Sequence, residues 1–242
     1  MMFPSGAERA AEARDGPPTD LDSEEFERQA AAIVARYPNA RSAMLPLMFL
    51  VQSVEGQVTD QGMRAVARIL GLTPAQVLAA TSFYTMLKRR PQGEYLVSVC
   101  RNISCTHMGG RAVLEACRER LGVEPGETTA DGRFSLETAE CLATCDGAPS
   151  MQINYEDFYR VSPEQAVELI DRLYRGDTVT SVRGEEVRTQ REISFETATV
   201  GLRIPGSAGE QTARTIGGET PRADTAPGFR PRVPGDTGDG DG

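Results

Sequence analysis

EYLVSVCRNISC, residues 94–105, sets the reading of the whole chain. Tyr95, Leu96, Val97 and Val99 make a short β-rich run, and Cys100 closes it. Cys105 follows in the next loop. GGRAVLEACRERLG (109–122) then reads as an amphipathic helix, with Val113, Leu114, Cys117 and Leu121 on one face. DGRFSLETAEC (131–141) reads as a turn and a second strand, which Cys141 closes, with Cys145 in the loop after it. PSMQINYEDFYR (149–160) reads as a hairpin around Asn154–Asp157. SPEQAVELIDRLYRG (162–176) is a helix with Ser162 as cap, Pro163 at its first position and Gly176 at its end. The order β-α-β-β-α predicts a compact two-layer α+β unit over 92–176.

Upstream the pattern is helical. A helix is expected from Asp22 as N-cap, with Glu25 at the capping-box distance and Phe26, Ala30, Ile33 and Val34 at helical spacing. A second covers about 41–54 and stops at Gly56; a third runs about 59–70 and ends at Gly71. Thr73-Pro74-Ala75-Gln76 opens a fourth. Residues 21–91 are therefore read as a helical bundle, with LPLMFLVQ (45–52) as its core or, if too little covers it, a partner surface. Residues 1–20 are read as a disordered N-terminus. Half of the 24 glycines fall in 176–242, so 177–242 is read as a largely disordered tail. Within it, VRTQREISFETATV (187–200) is expected as a short extended segment that packs on a partner.

Bulk composition excludes several function classes. The 242 residues carry 26 Lys+Arg against 35 Asp+Glu, a formal charge of −9, which opposes binding to a nucleic-acid backbone. The longest apolar run, AMLPLMFLV (43–51), is less than half of a membrane span. The N-terminus has no secretory pattern, and five cysteines are too few for a disulfide scaffold, so a cytoplasmic, reducing setting is expected. There is one histidine, no G-x-G-x-x-G after a strand and no P-loop, hence no visible nucleophilic or hydride machinery and no complete active site in this chain alone.

Four of the cysteines fall in two close pairs, Cys100/Cys105 and Cys141/Cys145. If their strands lie side by side, both loops leave one end of the sheet and four thiolates can line one cup. Zinc takes four thiolates at a point. A [2Fe–2S] cluster takes two per iron, and plant-type proteins use a C-x4-C pair. Such an anion also needs N–H groups aimed at sulfur and little bulk around it, which Asn102, Ser104, Thr106, Gly109, Gly110, Ala143, Thr144, Gly147 and Ala148 can provide. Neither pair has the C-x-x-C spacing of a dithiol redox motif. Cys117 is assigned to the core and His107 to a solvated loop.

LPLMFLVQSVEG (45–56), ATSFYTM (80–86), VCRNISC (99–105) and GETTADGRFSLETAECLATCDGAPSMQIN (126–154) closely resemble the thioredoxin-like [2Fe–2S] ferredoxin subunit of respiratory complex I, the bacterial NADH:quinone oxidoreductase. The likeness covers about 22–176, including the helical part. It implies a thioredoxin-like fold and one [2Fe–2S] cluster on Cys100, Cys105, Cys141 and Cys145. It also implies electron exchange with FMN in a flavin subunit that binds NADH, contact with further peripheral-arm subunits, and a place at the cytoplasmic face of the membrane. Ala143 departs from the glycine common in relatives; if the position needs positive φ, alanine costs on the order of 1 kcal/mol there. The same two-domain piece serves NAD-linked formate dehydrogenases and NAD-reducing hydrogenases. On spacing alone, a zinc-stapled interaction module is the reading from another class.

Overall fold

The computed structural model describes residues 20–200, and all of these lie in one compact unit. The expectations for residues 1–19 and 201–242 fall outside the described residues. Helix α1 spans Glu24–Ala35, and Ser23 caps it by accepting the Phe26 N–H at 3.1 Å. Sequence spacing favours Asp22 as the cap; its neighbour wins because the serine oxygen is the one that reaches an orphan N–H of the first turn. A 3-10 turn, Ala40–Ala43, leads into α2, Met44–Glu55, which ends at Gly56 with φ 72°. Helix α3 is Asp60–Leu70, capped by Thr59 and closed by Gly71. Helix α4 is Pro74–Phe83, with the full Thr73–Gln76 capping box.

Four strands follow: β1 Tyr95–Cys100, β2 Phe134–Ala139, β3 Met151–Ile153 and β4 Glu156–Phe158, in the sheet order β2-β1-β3-β4. β1 and β2 are parallel, and the other neighbours are antiparallel. Between β1 and β2 lie the short α5, Ile103–His107, and α6, Gly110–Leu121. Asn154 and Tyr155, at φ 49° and 69°, make the turn between β3 and β4. Helix α7, Pro163–Arg175, carries the Ser162–Gln165 capping box and stops at Gly176. Val97, Val99, Phe134, Leu136, Met151 and Ile153 pack one sheet face against Val113 and Cys117 of α6 and Ile170 and Leu173 of α7. This is the expected α+β arrangement of a helical bundle followed by a sheet unit.

The segment after Gly176 departs from the expectation. Residues 177–189 continue the sheet unit, with Val179 and Val187 buried in its core and a bridge between Thr180 and Glu186. The stretch expected as extended then forms α8, Gln190–Thr199, with a Thr189–Glu192 capping box. It packs within this chain, against α2: Phe195 and Ala198 join the helical core. Gln52 of α2, itself buried, donates to Ser194 Oγ at 3.0 Å and to the Met86 carbonyl at 3.2 Å, and accepts the Lys88 N–H at 2.7 Å. Arg191 donates to the Val54 carbonyl at 2.6 Å, and Arg36 donates to the Thr199 carbonyl. The LPLMFLVQ stretch is thus core, with Leu47, Met48, Leu50 and Val51 fully buried.

Candidate metal centre

The parallel pairing of β1 and β2 places the two cysteine loops together. Cys100 stands opposite Ala139 at the last register position, and the Arg101 N–H extends the ladder by donating to the Ala139 carbonyl at 2.9 Å. Both strands therefore release their chains at one end of the sheet. In the first loop, the Asn102 side chain caps α5 by accepting the Ile103 N–H at 2.7 Å. Cys105 thus sits on a short helix, where the sequence predicts a loop. Helix α6 then starts against this turn, which only glycine permits at Gly110: a Cβ there would meet the Cys105 carbonyl oxygen at 2.8 Å. In the second loop, Cys141 lies two residues beyond β2, Ala143 has φ 58°, and Cys145 opens the 3-10 turn Cys145–Gly147. Ala143 thus occupies the left-handed region that glycine favours.

Amide groups converge on the sulfurs. The backbone N–H groups of Asn102, in its own loop, and of Leu142, in the other loop, lie near Cys100 Sγ, as does the Cys105 thiol. Cys105 Sγ is met by the N–H and the hydroxyl of Ser150, the hydroxyl at 3.5 Å. The Ala143 N–H points to Cys141 Sγ at 3.3 Å. Burial pushes the Cys100 thiol above its usual value, against the pull of the Asn102 and Leu142 amides. Burial acts on Cys105 in the same sense, but the Ser150 hydroxyl and N–H together with Cys100 outweigh it and bring that thiol below its usual value. Donors that favour the anionic sulfur suit a thiolate ligand.

Cys100 and Cys105 are buried side by side, whereas Cys141 and Cys145 are exposed on the adjoining loop. Among the described residues no three His, Cys, Asp or Glu side chains close on one point as a single ion requires. The two pairs stand on adjacent loops at one end of the sheet, and a two-iron core takes two thiolates per iron. Ile103 and Met108, 73% and 63% exposed, flank the first loop. His107 is exposed on α5, and Cys117 is fully buried in the sheet core, its thiol pushed up to about 12 by burial. Sequence reasoning does not single out Ser150 as a site residue. Its place follows from the antiparallel pairing of Val99 with Met151, a register that spacing along the chain does not reveal.

Known proteins share this arrangement of sequence and fold. A model of the thioredoxin-like [2Fe–2S] ferredoxin family matches residues 30–174. The chain belongs to that family and has its thioredoxin-like α+β fold. An NADH-quinone oxidoreductase subunit of Mycobacterium tuberculosis is 50% identical over 153 residues, 63% of this chain and 60% of that protein. The chain thus spans about three fifths of that relative's length. An NADH-quinone oxidoreductase subunit of Rhizobium meliloti is 36% identical over 151 residues, 62% of this chain and 90% of the relative. NADH-quinone oxidoreductase subunit 2 of Thermus thermophilus is 38% identical over 126 residues, 51% of this chain and 70% of the relative.

Proposed function

We propose that this chain is an electron-transfer subunit of an NADH:quinone oxidoreductase, holding one [2Fe–2S] cluster on Cys100, Cys105, Cys141 and Cys145. The observation that carries the reading is the parallel register of β1 and β2, which sets Cys100 opposite Ala139 and releases both cysteine loops at one end of the sheet. The relatives named as subunits of NADH-quinone oxidoreductase support the assembly. A bound cluster supplies one-electron storage, which side chains lack. The chain's own residues do the rest. The paired cysteines would grip, the Ala143 amide and the Ser150 hydroxyl face sulfurs of the two pairs, and Gly110 gives close backbone approach. FMN and NADH belong on a partner flavin subunit, as the resemblance to the complex I subunit implies. The exposure of Cys141 and Cys145, and of Ile103 and Met108 beside the first loop, supports docking of such a partner over this end of the sheet. Among the described residues no single helix is long and apolar enough to cross a membrane.

Anaerobic purification tests this directly. Two irons and two acid-labile sulfides per chain, with a reddish-brown colour, are expected. One zinc and no sulfide overturns the reading. Cys141→Ser removes the colour and the iron, whereas Cys117→Ala keeps both. Genes for membrane quinone-module subunits next to this one support the assembly. Genes for a molybdenum or nickel enzyme reassign the chain to a formate dehydrogenase or hydrogenase.

A further inference from the structure

The second cysteine loop reaches the first pair through two side-chain hydroxyls. Thr144, between Cys141 and Cys145, donates its hydroxyl to Ser150 Oγ at 2.8 Å. Ser150 Oγ in turn lies 3.5 Å from Cys105 Sγ, and the Ser150 N–H faces the same sulfur. All three side chains are buried: Ser150 is 3% exposed, Thr144 7% and Cys105 2%. The direction of the chain of hydroxyls follows from counting hydrogens. Each hydroxyl has one. Thr144 uses its own on Ser150, so the Ser150 hydrogen is left for the sulfur. A metal-bound thiolate has none to give, so Ser150 is the donor in the loaded protein.

We propose that Ser150 is a positioning residue that grips the Cys105 sulfur through its hydroxyl and, backed by Thr144, raises the reduction potential of the site. This rests on the reading of Cys105 as a cluster ligand. Reduction takes one electron from the reductant, makes and breaks no covalent bond, and moves no proton from either hydroxyl. It leaves the sulfurs more negative, so a dipole aimed at one of them stabilises the reduced state more than the oxidised one. The pair is shielded from water, which weakens such a dipole little. Were the two hydroxyls only satisfying each other as buried polar groups, their removal would change stability and leave the potential alone.

The test uses the full chain, loaded anaerobically, as wild type, Ser150→Ala and Thr144→Val. The midpoint is read by an EPR-monitored redox titration, and the Fe–S stretching bands by resonance Raman in water and in D2O. In Ser150→Ala, with two irons and two sulfides retained, the equilibrium constant for reduction falls on the order of tenfold, ~59 mV for a one-electron couple. Its D2O-induced band shift shrinks as well. Thr144→Val keeps its volume and the Ser150 hydroxyl, and gives a smaller change in the same direction. A loaded Ser150→Ala protein with unchanged midpoint and D2O shift overturns the role of Ser150 and leaves the cluster reading standing. If Ser150→Ala holds no cluster, Thr144→Val decides: an unchanged midpoint overturns the proposal, a lowered one supports it. A wild type without iron and sulfide overturns both readings.

Discussion

The two cores of this protein are built differently. The sheet core takes all its residues from Val97 to Val187, one contiguous stretch. The helical core runs from Leu21 to Leu87 and then needs Phe195 and Ala198, more than a hundred residues further on. The reason lies in α2. MLPLMFLVQSVE carries apolar residues on every side, and a helix of that kind needs cover on every side. The preceding and following helices supply part of it, and α8 supplies the rest. The domain that presents the cysteines is self-contained, while the domain that precedes it is closed by a helix from beyond it.

That contrast can be broken in stages. Removing residues 190–242 is expected to have the largest effect. It strips α8 from α2 and should cost the helical core more than the ~3–5 kcal/mol of a single large core truncation. Removing only 201–242 keeps α8 and its contacts. Urea unfolding with hydrogen exchange read separately on residues 24–83 and 95–175 distinguishes the two, and equal protection of residues 24–83 in both truncations would refute the closure. Phe195→Ala comes next, at about 3 kcal/mol from lost burial and the cavity left behind, felt in the helices before the strands.

A third experiment addresses the sheet core. Burial holds the Cys117 thiol at about 12, above its ordinary value in an unfolded chain. The folded state therefore keeps a proton that the unfolded state gives up as pH rises from about 9. This stabilisation is complete below the unfolded pKa and is lost as pH climbs towards the folded one. Urea midpoints at pH 8, 10 and 11 should fall more steeply for wild type than for Cys117→Ala, by up to about 1.4 kcal/mol per pH unit. The smallest effect is expected at Ala143, held at φ 58°. Ala143→Gly relieves the left-handed strain and frees the unfolded chain at once, so a net gain of at most about 1 kcal/mol should appear in thermal melts of the apoprotein.

Much of the fold is legible from residues alone because the signals are local. Thr73-Pro74-Gln76 and Ser162-Pro163-Gln165 announce their capping boxes, and Gly56, Gly71 and Gly176 end their helices as expected. The two cysteine pairs are visible, and the parallel register of β1 and β2 gives them a common end of the sheet. Thr189-Gln190-Arg191-Glu192 carries the same capping signature, yet its surroundings read as extended. The threonines, isoleucine and valine there favour strand, and the helix is held in place by α2, through Gln52 and the Val54 carbonyl among others, which lie far away in sequence. Ser150 is hidden for a related reason: nothing near it in the chain marks it, and only the pairing of β3 with β1 brings it to Cys105.

Gln52 gives the contrast a consequence in time. Its amide is satisfied by Met86, Lys88 and Ser194 together, so it cannot be fully paired in a nascent chain until α8 has emerged from the ribosome. By then all four loop cysteines are already outside. Synthesis therefore releases the half that carries the cysteine loops while the half made first still waits for its last helix.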